Sequence, residues 1–153
     1  MSPPASRRSR ILIVDDQPMM LELISTRLEL AGYQTFVARD GSQGLARLYE
    51  VRPNAMLLDI NMPRFDGFDV LRQMKRTGQT ARVPTMALTA RNEAADVQQA
   101  INLGARDFLT KPFEDQTLLM RVARLLRGGR QNHGANVTVS EPKNSSSGLP
   151  LRL

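Results

Sequence analysis

Residues 55–59 read Ala-Met-Leu-Leu-Asp, four apolar residues closed by an acid. A short apolar run of this kind reads as a strand buried on both faces, and such strands belong to parallel sheets covered by helices on each side. Working outward, the same form recurs. Ile11–Asp15 is an apolar run ending in Asp15 and followed by Asp16, and Val83–Thr89 ends in a hydroxyl. Gln34–Ala38 and the short Asp107–Thr110 complete five predicted strands.

Helical stretches separate the strands. Met19–Ala31 carries Leu21, Ile24, Leu28 and Ala31 at helical spacing and stops at Gly32. Gly41–Val51 is stopped by Pro53, Asp66–Thr77 by Gly78, and Asn92–Leu103 by Gly104. Glu114–Arg127 has acids in its first turn and arginines toward its end, as the helix dipole prefers. Five β-α units in succession define an α/β domain, a doubly wound parallel sheet spanning residues 10–127.

The ends differ from this core. The formal charge is +6, yet its excess lies in residues 1–10, with three arginines and no acid, and in residues 128–153. The central domain is nearly neutral, which argues against a DNA-binding face on it. Residues 1–9 read as a basic arm, and residues 128–153, rich in Asn, Ser, Gly and Pro, as a polar tail that is disordered or orders on a ligand. Gly128-Gly129 is expected to break the last helix. No cysteine is present, so disulfides and thiolate metal sites are excluded. No stretch has the length of a membrane span or the form of a secretory signal, so the expected location is cytoplasmic, without membrane insertion.

In a parallel doubly wound sheet, ligands bind beyond the carboxyl ends of the strands. There the chain places Asp15 and Asp16, then Asp59, then Thr89, and Lys111 just after strand five, at intervals of 43, 30 and 22 residues from Asp16 onward. Three carboxylates close together repel unless a cation sits among them, and Mg²⁺ suits carboxylates, phosphate oxygens and water. One carboxylate can then attack a phosphoryl group while a hydroxyl and an ammonium hold its oxygens. The single histidine, His133, lies in the tail, so neither a hydrolase triad nor a histidine zinc site is supported.

The stretches ILIVDDQP (11–18), LLDINMPRFDGFDVL (57–71), ALTA (87–90) and DFLTKPF (107–113) resemble, in order, those of CheY-like two-component receiver domains. The resemblance implies a flavodoxin-like (βα)5 fold with strand order 2-1-3-4-5. It implies Asp59 as phosphoacceptor, supplied by a histidine kinase or phosphotransfer protein. Asp15, Asp16, Asp59 and the backbone carbonyl of Asn61 would hold Mg²⁺, and Thr89 and Lys111 would bind the phosphoryl group. Thr89 and Phe108 would form the switch, with Phe108 standing where CheY has a tyrosine. The family's output face is its fourth helix, fifth strand and fifth helix; no output domain is read after residue 127.

Arg121, Arg124 and Arg127 fall at three-residue steps on the last helix, and Arg130 extends the series. This series and the polar tail are similar to the Cle group of CheY-like regulators, which bind cyclic di-GMP and act at the flagellar motor. Asn144 to Gly148 faintly resembles a cyclic di-GMP element of PilZ proteins, one residue short. The resemblance implies Arg121, Arg124, Arg127, Arg130, Asn144 and Ser146 as nucleotide contacts, with docking on the motor switch and recruitment to the flagellar pole. Arginine suits guanine edges and phosphates. The alternative is an ordinary phosphorelay receiver with an inert tail. An acid phosphatase of the haloacid dehalogenase kind is set aside, because Asp59-Ile60-Asn61 lacks that pattern's second acid; the chain is read as a signalling protein, with slow self-dephosphorylation, and not as an enzyme.

Overall fold

The computed structural model describes residues 8–90 and 94–131, with side chains through Gly128. Five strands, β1 (Arg10–Val14), β2 (Gln34–Ala38), β3 (Ala55–Asp59), β4 (Thr85–Thr89) and β5 (Asp107–Thr110), form one sheet in the order β2-β1-β3-β4-β5. Every neighbouring pair is parallel. The helices are α1 (Pro18–Leu30), α2 (Gly41–Val51), α3 (Gly67–Arg76), α4 (Gln79–Arg82), α5 (Ala94–Asn102) and α6 (Asp115–Gln131).

The period-two alternation of strand side chains divides the core in two. Leu12, Val14, Met56, Leu58 and Ala87 point toward Leu48 of α2, Val70, Leu71 and Met74 of α3, and Ala100 of α5. Ile11, Ile13, Leu57, Met86 and Leu88 point toward Leu21, Ile24 and Leu28 of α1, and Leu118 and Val122 of α6. All five residues of β3 are buried, as a strand with helices over both faces requires. Each fully buried leucine here contributes about 1.5–3 kcal/mol relative to its exposed state. This two-sided burial fixes the register, so the strand ends, and the polar groups on them, are held in place.

Apart from three features, the strands and helices match the expected ones to within one or two residues at their ends, with Asn92, the expected start of α5, outside the described residues. The strand expected from Val83 begins at Thr85, because Pro84 has no N–H for a ladder. One turn of helix, α4, follows Gly78, whose φ is +80°; four residues are too few to show a helical period. The last helix does not stop at Arg127 but continues through Gly128-Gly129 to Gln131. Glycine costs about 1 kcal/mol against alanine in a helix interior, but extending an established helix is far easier than starting one. Among the described residues, no helix is long and apolar enough to cross a membrane.

A candidate phosphoryl and cation site

The carboxyl ends of β1 and β3 lie side by side, with Val14 paired to Leu58. Asp15 and Asp59, one residue beyond that pair, are therefore neighbours, and one oxygen from each of Asp15, Asp16 and Asp59 lies within 4.8 Å of the others. Asp15 is fully buried and Asp59 is 3 % exposed. The backbone N–H of Gln17 donates to Asp15 Oδ1 at 2.9 Å, and that of Asn61 donates to Asp59 Oδ1 at 3.0 Å. Lys111, reaching back from the end of β5, donates from Nζ to Asp15 Oδ2 at 2.8 Å and stands 3.7 Å from Asp59 Oδ1. The Lys111-Pro112 peptide bond is cis.

The loop after β3 is anchored by α3. Asp66 caps that helix by accepting from the Asp69 N–H, and Asp69 returns the contact by accepting from the Asp66 N–H, each at 3.0 Å. Gly67 begins the helix directly against the strand end: a Cβ there would lie 2.5 Å from the Asp59 carbonyl oxygen and 2.6 Å from Ile60 Cα. Only glycine allows this approach.

Burial pushes the Asp59 carboxyl up to about 6, and neighbouring Asp15 adds to that rise; Lys111 and the Asn61 N–H oppose it, and Asp16 adds a smaller upward push. Among the described residues the site holds three carboxylates and one ammonium, and its metal-ligand atoms toward the cleft are oxygens. That composition fits a hard divalent cation such as Mg²⁺. Asp15, Asp16 and Asp59 are the side chains that would hold it, and its charge would offset the repulsion that raises Asp59.

On the far side of Asp59 the end of β4 is tied to the Asn61 side chain. Asn61 Oδ1 accepts from the Thr89 hydroxyl at 3.4 Å and from the Ala90 N–H at 3.2 Å. The motif had offered only the Asn61 backbone carbonyl; an amide two residues past a strand-end carboxylate was the available signal for this bridge. Asp15, Asp16, Asp59, Asn61, Thr89 and Lys111 are thus brought together. Phe108 lies on β5, three residues before Lys111. It pairs in register with Ala87, is partly buried, and packs against the cluster that includes Ala87 and Ala100.

The arginines of α6 lie elsewhere and are not equivalent. Arg121 Nη1 donates to Asp107 Oδ1 at 2.8 Å and to the Phe108 carbonyl at 2.9 Å, clamping α6 to β5. Arg124 reaches Asp107 Oδ2 at 3.3 Å, and Arg127 is exposed. The backbone of Arg130 lies in α6; its side chain, Asn144 and Ser146 lie outside the described residues.

The fold and cleft together define a doubly wound α/β domain with an acidic pocket at the carboxyl ends of its strands. The family model described as "Response regulator receiver domain" matches residues 11–123. The chain belongs to that family. It is 36% identical to the protein PilH of Pseudomonas aeruginosa over 78% of this chain and 99% of PilH. It is 42% identical to the DNA-binding dual master transcriptional regulator RpaA of Synechocystis over 77% of this chain and 49% of RpaA, so it spans about half the length of that relative. The structure of the Vibrio cholerae chemotaxis protein CheY4 superposes with a TM-score of 0.73 at 30% identity, over 77% of this chain and 98% of CheY4.

Proposed function

We propose that this receiver domain takes a phosphoryl group on Asp59 from the phosphohistidine of a histidine kinase or phosphotransfer protein. A carboxylate oxygen of Asp59 attacks phosphorus, the bond to the donor imidazole breaks, and an aspartyl phosphate forms. Lys111 carries the reading: its ammonium lies between Asp15 and Asp59, within reach of a phosphoryl oxygen on Asp59. Asp15, Asp16, Asp59 and the Asn61 carbonyl would hold Mg²⁺, which would supply charge neutralisation during transfer. The Thr89 hydroxyl binds another phosphoryl oxygen, and its movement lets Phe108 turn inward. That changes the face made by α5, β5 and α6, where a target protein docks. The working location is the cytoplasm. Incubation with a phosphorylated phosphotransfer protein and Mg²⁺ tests the reading. Label is expected on the intact chain and absent from Asp59→Asn; label retained by that variant contradicts it.

A second reading is favoured by the exposure of Arg124 and Arg127 on a helix that runs to Gln131. Here the α6 arginines and the residues beyond bind cyclic di-GMP and gate docking on a partner such as the flagellar motor switch, with recruitment to the pole. Calorimetry with cyclic di-GMP on the full chain tests it, and affinity unchanged in an Arg124→Ala/Arg127→Ala variant counts against it.

A further inference from the structure

A second concavity lies at the opposite end of the sheet from Asp59. It has a volume of about 530 Å³ and sits where the end of α2, the entry to β3 and the turn α4 meet. β3 separates the two sites, roughly 13 Å of extended chain at 3.3 Å per residue. Pro53 and Val83, both buried, contribute apolar lining, and Tyr49, 60% exposed, presents its ring.

Three features of this concavity point to a ligand. Arg52 and Arg82 line it, and neither guanidinium has an ion-pair partner among the described residues. Among the described residues, no acidic residue lines it. The carbonyl end of α2, which carries partial negative charge, is covered by a cation: Arg10 donates from Nε to the Val51 carbonyl at 3.1 Å and from Nη2 to the Arg52 carbonyl at 2.5 Å. The mouth is therefore electropositive.

Gln79 adds an independent signal. The residue is 8% exposed and lines the cavity, and its side-chain amide, with no hydrogen-bond partner among the described residues, reaches solvent there. That amide is therefore open to a ligand polar group without breaking an internal bond. Two unpaired guanidiniums suit phosphate oxygens, the Tyr49 ring suits a flat base, and the amide suits a base edge. The volume lies within the range of about 300–1,000 Å³ typical of small-molecule sites.

We infer that this concavity is a binding site for a nucleoside phosphate, with Arg52 and Arg82 on the phosphate, Tyr49 against the base and Gln79 on a polar edge. The inference does not depend on Asp59 being a phosphoacceptor, and it uses none of the α6 arginines.

Calorimetry on the full chain with GMP, AMP and pyrophosphate tests it. At least one nucleotide is expected to bind saturably and more tightly than pyrophosphate. Arg82→Gln and Arg52→Asn should each weaken it about tenfold, the loss of one charge-assisted contact; asparagine is used because Arg52 has φ +52°, which asparagine tolerates. Tyr49→Leu should reduce nucleotide affinity and leave pyrophosphate binding unchanged. Gln79→Leu should weaken the nucleotide while its melting temperature stays level or rises, which a purely structural glutamine would not show. Absence of saturable binding by both nucleotides overturns the inference. So does binding that survives Arg52→Asn and Arg82→Gln in variants with the normal circular dichroism spectrum.

Discussion

Lys111 Nζ bonds to Asp15 Oδ2 at 2.8 Å across 96 residues of sequence, joining the end of β5 to the end of β1. Asp15 is fully buried and the Lys111 side chain is 12% exposed. Removing one partner of such a pair leaves the other charge stranded in low dielectric. Lys111→Met is therefore expected to destabilise the metal-free protein by about 3 kcal/mol, read by urea denaturation. Added Mg²⁺ should restore part of the loss, because a cation replaces the missing ammonium.

The Asp59 carboxyl titrates near 6, above its ordinary value of 3.8. A carboxyl raised in the folded state favours its protonated form there, so its ionisation works against folding. Its contribution is favourable below about pH 4 and is lost as pH rises through 6. Asp59→Asn removes that opposition. In EDTA at pH 7.5 the variant is expected to be more stable than the parent by about 2–3 kcal/mol, and the difference should vanish near pH 4. A constant difference across that range would contradict the electrostatic account.

Asn61 Oδ1 occupies two donors, the Thr89 hydroxyl and the Ala90 N–H, on the side of the cleft where a phosphoryl group on Asp59 would need them. Loading must displace the amide. Asn61→Ala keeps the backbone carbonyl and removes both of these contacts. Each net hydrogen bond is worth about 0.5–1.5 kcal/mol, so affinity for beryllofluoride with Mg²⁺ should rise several-fold, while Mg²⁺ affinity alone stays level. Equal beryllofluoride affinity would show that the bridge does not compete.

Gly67→Ala places a methyl group 2.5 Å from the Asp59 carbonyl oxygen. The neighbours are largely backbone, so α3 must move. Overpacking of this kind costs about 1–3 kcal/mol or more, and the variant should also lose Mg²⁺ affinity because the loop carrying Asn61 shifts with the helix. A drop in melting temperature with unchanged Mg²⁺ affinity would separate the helix from the site.

The sheet was legible because apolar runs such as 55–59 are short, evenly spaced and closed by punctuating residues. Their two-sided burial forces the terminal acids to one edge, so the cleft followed from the same reading. What escaped notice was short or depended on side-chain direction. α4 is a single turn with no apolar period. Gly128-Gly129 looked like a stop, yet an established helix carries through them to Gln131. Arg121 stood in a regular arginine series, but only the tertiary position of Asp107 shows that it clamps β5 and that Arg127 does not. The Asn61 amide reaches β4, a contact that motif spacing cannot express.

The central claim is that Asp59 becomes an aspartyl phosphate. Borohydride reduction converts such an acyl phosphate to homoserine, so the most direct measurement is peptide mass spectrometry after phosphodonor treatment with Mg²⁺ and reduction. Homoserine at position 59 alone is the result expected. Homoserine at Asp15 or Asp16 instead, or no conversion under conditions that label another receiver domain, would contradict the account.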